Sequence, residues 1–304
     1  MHHAHAHAHG HGVPRAINRR RMTIALILNV GLALIGVAGA VLFGSVALLA
    51  DAGHVLSDIG AIGLGLFAAT LAARPARGRR TFGYHRSEII AALANGLALV
   101  VVAVLVLVES AGRLADPPPV EGLGVLVVGV LGLAGNLAAT LVLAGGDRED
   151  LNLEGVLRHS AADALGSLGV LVAGAIVLLT GWLYADPIAG LLIAVLILVG
   201  SWRLVREPFD VLMEAAPRGL DVPAIGRAMS EVEGVREVHD LHVWTVTSGF
   251  PALAAHVLTA PAEDSDEVRR RLEALLADRF GIEHTTLQTE RERLLELEDR
   301  RSGR

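Results

Sequence analysis

Val46-Ala-Leu-Leu-Ala-Asp51-Ala-Gly-His54-Val-Leu-Ser-Asp58 continues from Ile59 to Ala73 without another charged residue, and this stretch decides the fold. Its apolar length exceeds the ~20 residues that cross a hydrocarbon core as a helix. An ionisable side chain inside such a span is costly, and it marks an ion path, a proton relay or a paired site. His54 and Asp58 are four residues apart, which puts both on one helix face. The same spacing recurs in His159-Ser-Ala-Ala-Asp163. One such pair would read as a structural polar contact. Two matching pairs argue for a shared site, because two imidazoles and two carboxylates make a four-coordinate set for a borderline metal such as Zn²⁺.

Outward from this stretch, six apolar segments can be read: Met22–Phe43, Val46–Ala73, Ile89–Ala111, Leu123–Ala144, Ala161–Leu183 and Ile188–Val205. The 304 residues are 53% hydrophobic and 19% charged, with a mean hydropathy of +0.53. These values point to a membrane protein, with the lipid bilayer as its surroundings. Arg15, Arg19, Arg20 and Arg21 precede an apolar run too long for a signal-peptide core, so the run reads as a first span. Loop arginines concentrate in the N-terminal arm, in Arg74–Arg80 and around Asp147–Glu154. The opposite loops carry Arg113 and little else. The positive-inside rule therefore places both termini in the cytoplasm. The absence of cysteine excludes disulfides, thiolate metal sites and iron–sulfur clusters. No lysine occurs, which fits a GC-rich bacterial genome and a bacterial cytoplasmic membrane. The net charge of -6 averages unlike regions, and no nucleic-acid partner is expected.

After about Arg206 the composition becomes that of a soluble domain. Val222–Val232 has helical spacing, Val235–Val246 and Ala252–Leu258 have strand character, Ser265–Phe280 is an amphipathic helix, and Thr285–Gln288 reads as a last strand. The expected architecture is a six-helix, all-α transmembrane domain over 22–205 and an α-β-β-α-β cytoplasmic domain over 206–291. A His-rich tail over 1–21 and a charged tail over 292–304 flank them. His2–Gly12 alternates His with Ala or Gly, cannot bury a core, and reads as a disordered, native metal-collecting tail rather than an expression tag.

His54, Asp58, His159 and Asp163 support a definite chemistry. Two carboxylates away from water repel each other, and a divalent cation cancels their charge. When the metal leaves, protons are the natural replacements, because crowded negative charge favours protonated carboxylate and imidazole. Metal and proton then compete for the same atoms, which is the minimal basis for exchange. Catalytic zinc sites keep three ligands, an open position and a general base, and no His-Glu-x-x-His motif is present. Counting from the outer ends of their spans, Asp58 lies roughly 20 Å in and Asp163 roughly 27 Å in, a mismatch left for tilt to absorb.

Leu48–Asp58 and Leu157–Asp163 resemble the second- and fifth-helix signatures of the cation diffusion facilitator family. Arg80-Thr-Phe-Gly-Tyr-His-Arg-Ser-Glu88 and Val238-His-Asp-Leu-His-Val-Trp244 resemble motifs of its zinc, cobalt and cadmium resistance branch. The resemblance implies a homodimeric exporter that exchanges cytosolic divalent metal for external protons, with a metallochaperone-like cytoplasmic domain. It places the transport site on His54, Asp58, His159 and Asp163. His54 resembles the zinc-selective pattern, with Co²⁺, Cd²⁺ and Ni²⁺ as alternatives. Of a second site in the loop between spans two and three, only His85 is retained. A regulatory site resembles His239 and His256 with residues near Gln288 and Glu290, where Gln288 replaces a sometime histidine. Asn29, Asn95 and Asn136 read as helix-packing groups, and Arg86, Glu214 and Asp210 as a junctional ion-pair set. The rival readings are a membrane-anchored metal sensor without net transport and a membrane metalloenzyme.

Overall fold

A computed structural model describes residues 12–144, 151–247 and 249–291, with side chains at 24, 26–141, 163–247 and 249–291. The His-rich segment 1–11 and the charged tail 292–304 lie outside the described residues. The helices are α1 Gly12–Phe43, α2 Val46–Ala72, α3 Arg86–Ala115, α4 Gly122–Ala144, α5 Leu151–Thr180 and α6 Ala185–Leu212. All six are long and apolar enough to cross a membrane. They are followed by α7 Val222–Ser230, β1 Val235–Thr247, β2 Phe250–Thr259, α8 Ser265–Phe280 and β3 His284–Glu290.

The contacts divide the chain into two compact units, one of residues up to 66 with 94–205, the other of 67–93 with 206 onward. In the first unit α4 packs on α5 and α1. Its core is mostly small and β-branched: Val46, Ala50, Ala103, Val125, Val170 and Ala194 are all essentially buried. The α4–α5 seam needs glycine. A Cβ at Gly129 would sit 2.9 Å from the Leu171 backbone, and one at Gly174 would sit 2.6 Å from the Leu126 amide. Hydrocarbon gives no hydrophobic drive between helices, so close backbone approach supplies the attraction.

One end of this unit is tied by a buried carboxylate. Asp186, in the first turn of α6, accepts from the Val46 amide (2.8 Å), the Ala47 amide (3.4 Å) and the Ser45 hydroxyl. Ser45 in turn accepts from Leu48 N at 3.1 Å. The first amides of a helix have no intrahelical partner, so α2 is capped by α6 rather than by its own neighbours alone. Asp186→Ala is expected to cost about 2–3 kcal/mol, the worth of charge-assisted bonds to buried donors. The readout is a melting temperature in detergent lowered by roughly 5 °C or more; an unchanged melting temperature would remove this role.

The second unit carries a three-stranded sheet of order β1-β2-β3, with β1 antiparallel and β3 parallel to β2. Its core joins Ile225 and Met229 of α7, Leu253 of β2 and Leu272 and Leu276 of α8. Local chemistry fixes α8. Asp264 accepts from the Asp266 amide, and Gly281 ends the helix at φ +66 with its amide on Ala277 O. In the same unit Arg86 pairs with Glu214 at 3.0 Å, while Asp210 faces Arg218 and Arg206. Such exposed pairs contribute ~0–1 kcal/mol each.

Most element ends lie within three residues of the sequence expectation. The exceptions are the N-terminal ends of α1 and α5 and the C-terminal ends of α3 and α6. The last continues to Leu212, past the expected Val205, because Arg206, Glu207 and Asp210 end the apolar run without ending the backbone ladder.

Candidate metal centres

In the first unit α2 and α5 bring three of the four expected residues together. His54 Nδ1 lies 3.8 Å from Asp58 Oδ2, the i, i+4 contact, and His54 Nε2 lies 3.3 Å from Asp163 Oδ1. One donor atom from each of His54, Asp58 and Asp163 falls within 4.8 Å of the others, close enough to share one cation. His159 lies on α5 one turn before Asp163, and its side chain is outside the described residues. The unequal counts from the span ends do not keep Asp58 and Asp163 apart. The Asp163 side chain is 4% exposed, and the three line a cavity of about 400 Å³ whose wall includes Leu99 of α3, Leu165 of α5 and α6 residues such as Ile193 and Ile197.

Asp51 lines the same cavity, and the sequence reading assigned it nothing. It sits three residues before His54 on the same face of α2. Ser167 of α5 donates to Asp51 Oδ2 at 3.2 Å, and Asn136 of α4 donates to Ser167 Oγ at 3.1 Å. This chain fixes α2, α4 and α5 just beside the cluster, and it gives Asn136 the packing role expected of it. Gly166 leaves the room: a Cβ there would meet Asp51 Oδ1 at 2.9 Å. The i, i+3, i+7 spacing of Asp51, His54 and Asp58 was the signal available in the sequence. Asn95 accepts from Ser57 at 3.4 Å, a weaker link from α3 to α2.

A second cluster is built by strand register. His239 of β1 and His256 of β2 are direct cross-strand partners, and His256 and Gln288 are partners across β2 and β3. The two imidazoles stand 5.3 Å apart between centroids. Glu290, with its side chain 3% exposed, reaches both: 2.6 Å to His256 Nδ1 and 3.5 Å to His239 Nε2. One donor atom from each of the three again falls within 4.8 Å of the others. Both ring nitrogens of His239 are buried without a hydrogen-bond partner among the described residues, a cost that a cation held there would offset. That donor set fits a borderline divalent cation. The Gln288 amide donates to Glu290 Oε1 at 3.1 Å.

Asp240, also unassigned from sequence, holds φ +51 at the irregularity between His239 and His242. Its carboxylate lies 2.9 Å from His242 and 3.9 Å from His256. His85 joins neither cluster; its ring stands edge-on to Phe250 at 6.1 Å. His284 likewise packs against Phe250, at 5.4 Å.

With this geometry in hand, similarity to known proteins is informative. The profile of the cation efflux transmembrane domain matches residues 22–213, and that of the cation efflux protein cytoplasmic domain matches residues 217–292. A protein of Bacillus subtilis named cadmium, cobalt and zinc/H(+)-K(+) antiporter is 37% identical over 90% of this chain and 90% of its own length. Zinc transporter ZitB of Escherichia coli is 39% identical over 91% of this chain and 89% of its own. Metal cation efflux system protein CzcD of Cupriavidus metallidurans is 39% identical over 90% and 87%.

Proposed function

The chain belongs to the cation efflux family and is a multi-pass membrane transporter, and from that premise we propose that it exports cytosolic Zn²⁺ in exchange for protons. The observation that carries the reading is the apposition of His54, Asp58 and Asp163 from two different spans. His159, one turn from Asp163 on α5, completes the proposed set with a second nitrogen donor. Mixed imidazole and carboxylate donors suit zinc, with Co²⁺, Cd²⁺ and Ni²⁺ as the nearest alternatives. The names of the relatives above, which carry zinc, cadmium and cobalt, support that range.

The residues of the site perform two tasks. With metal bound, Asp58 and Asp163 balance its charge. With metal gone, protons on the same carboxylates and imidazoles restore neutrality in a setting poor in water. Because the ligands come from two helices, relative movement of α2 and α5 loosens the cage. Asp51 stays outside the set; held by Ser167, it keeps α2 in register with α5 beside it. We place the chain in a bacterial cytoplasmic membrane as a homodimer with both termini cytosolic, from loop arginine counts and the cytoplasmic-domain match.

The test is zinc uptake by sealed proteoliposomes under an imposed pH gradient, with Cd²⁺ and Co²⁺ in parallel. Flux that rises with the gradient supports exchange. Tight zinc binding without flux would replace the antiporter by a membrane-anchored sensor.

The cytoplasmic cluster of His239, His256 and Glu290 is proposed as a regulatory zinc site. His256→Ala removes its central ligand and is expected to lower zinc affinity there by ~100-fold, the upper range for loss of a mere supporting contact. Calorimetry on the full chain in detergent should lose one class of sites while the intramembrane class persists. Retention of both classes would count against the assignment.

A further inference from the structure

The second unit contains a larger cavity that neither metal cluster uses. It measures about 1050 Å³ and is lined by the loop before α3, the first turns of α3, and residues of β1 such as Val243 and Trp244. Arg79 and Arg80 stand on one side; Phe82, Ile90 and Trp244 supply apolar wall. Ile90 belongs to the first turns of a membrane-spanning helix and is 57% exposed. The cavity therefore pairs cationic groups with apolar surface beside the first turns of a membrane-spanning helix.

The charge here is unusual within this chain. Arg74, Arg77, Arg79 and Arg80 fall within seven residues that contain no acid, two residues after α2 ends at Ala72. Among the described residues, none of the four makes an ion pair. By contrast Arg113, Arg218, Arg269, Arg270 and Arg271 each hold a carboxylate. Arg86, which also lines the cavity, is already neutralised by Glu214.

The loop is nonetheless shaped rather than merely charged. Arg77 and Arg80 form an isolated bridge, with the Arg80 amide on Arg77 O at 3.1 Å. The Arg80 guanidinium lies 4.3 Å over the Tyr84 ring and donates to its hydroxyl. Topological preference alone would put arginines in this loop; it would not hold two of them at the mouth of an apolar-walled cavity. A guanidinium fork matches a phosphate.

We propose that this cavity binds the phosphate of an anionic membrane phospholipid, with Arg79 and Arg80 on the headgroup and Phe82 and Ile90 against the start of the acyl chains. A basic cluster directly cytoplasmic of a span is the arrangement that recruits such lipids. The proposal is independent of which residues carry the metal.

Trp244 provides a local reporter, because it lines the cavity and is one of three tryptophans. The others, Trp182 and Trp202, are 49% and 66% exposed and can be replaced by phenylalanine. The full chain in this background is reconstituted in phosphatidylcholine vesicles containing a minor share of brominated phosphatidylglycerol or, separately, brominated phosphatidylcholine. The expected result is enrichment of the anionic quencher at Trp244 by about fivefold for each arginine on the phosphate, the equivalent of about 1 kcal/mol. R79A/R80A should bring the two lipids to equal quenching, and R79K/R80K should keep most of the preference. An unshifted Trp244 emission in bromine-free vesicles verifies that both variants fold. Equal quenching in the unsubstituted chain, or a preference that survives R79A/R80A, overturns the proposal; the first outcome gives the cavity to a soluble anion or an acidic peptide.

Discussion

Asp163→Ala is expected to abolish gradient-driven zinc flux and to leave the chain folded. Asp163 is the least exposed member of its cluster and the one α5 carboxylate within 3.3 Å of His54 among the described residues. Removing it takes away a donor atom and one of the two negative charges that balance the cation in a poorly solvated cavity. Loss of a contact that only supports a ligand lowers metal affinity 10–100-fold, so loss of the ligand should exceed ~100-fold. Flux into proteoliposomes then falls to that of empty vesicles. Asp163→Asn keeps the side-chain volume and separates charge from packing; it should fail equally. Retained zinc binding at the cytoplasmic cluster would verify folding in both variants. Flux at the unsubstituted level in either would sink the transport-site assignment.

His54→Asp is the second large effect, and it concerns choice of metal. His54 contacts Asp58 through one nitrogen and Asp163 through the other, so it stands at the centre of the cluster. An aspartate there replaces a nitrogen donor with oxygen and adds a third carboxylate. Harder cations such as Mn²⁺ favour oxygen donors, whereas zinc favours imidazole. Zinc flux should fall by at least about tenfold, the lower end for a disturbed ligand shell, while manganese flux rises above background. Parallel loss of both metals would mean that the site needs the imidazole for geometry rather than for selectivity.

Both expectations rest on residues legible before any coordinates. The i, i+4 repeat could be read because helical periodicity is local, and the apolar runs gave the spans around it. The cap of α8 was equally local, with Asp264 and Gly281 bracketing Ser265–Phe280. What could not be read depended on partners remote in sequence. The spacing of Asp51 puts it on the face of His54 and Asp58, but its partner Ser167, 116 residues away, is not visible there. Gln288 comes beside His256, 32 residues earlier, only once β3 runs parallel to β2. Asp240 owes its place to a strand irregularity that shifts register between His239 and His242.

The tie between α2 and α6 has a bearing on how the molecule is made. Val46 and its cap Asp186 are 140 residues apart. During synthesis, at ~5–20 residues per second, α2 enters the bilayer many seconds before its cap exists. Until then its first amides must be met by Ser45, water or lipid headgroups. Assembly of the bundle is therefore committed late, on arrival of the sixth helix. A nascent chain halted before residue 186 should be cleaved more readily at the loop before its second helix than one released after the sixth helix ends at Leu212.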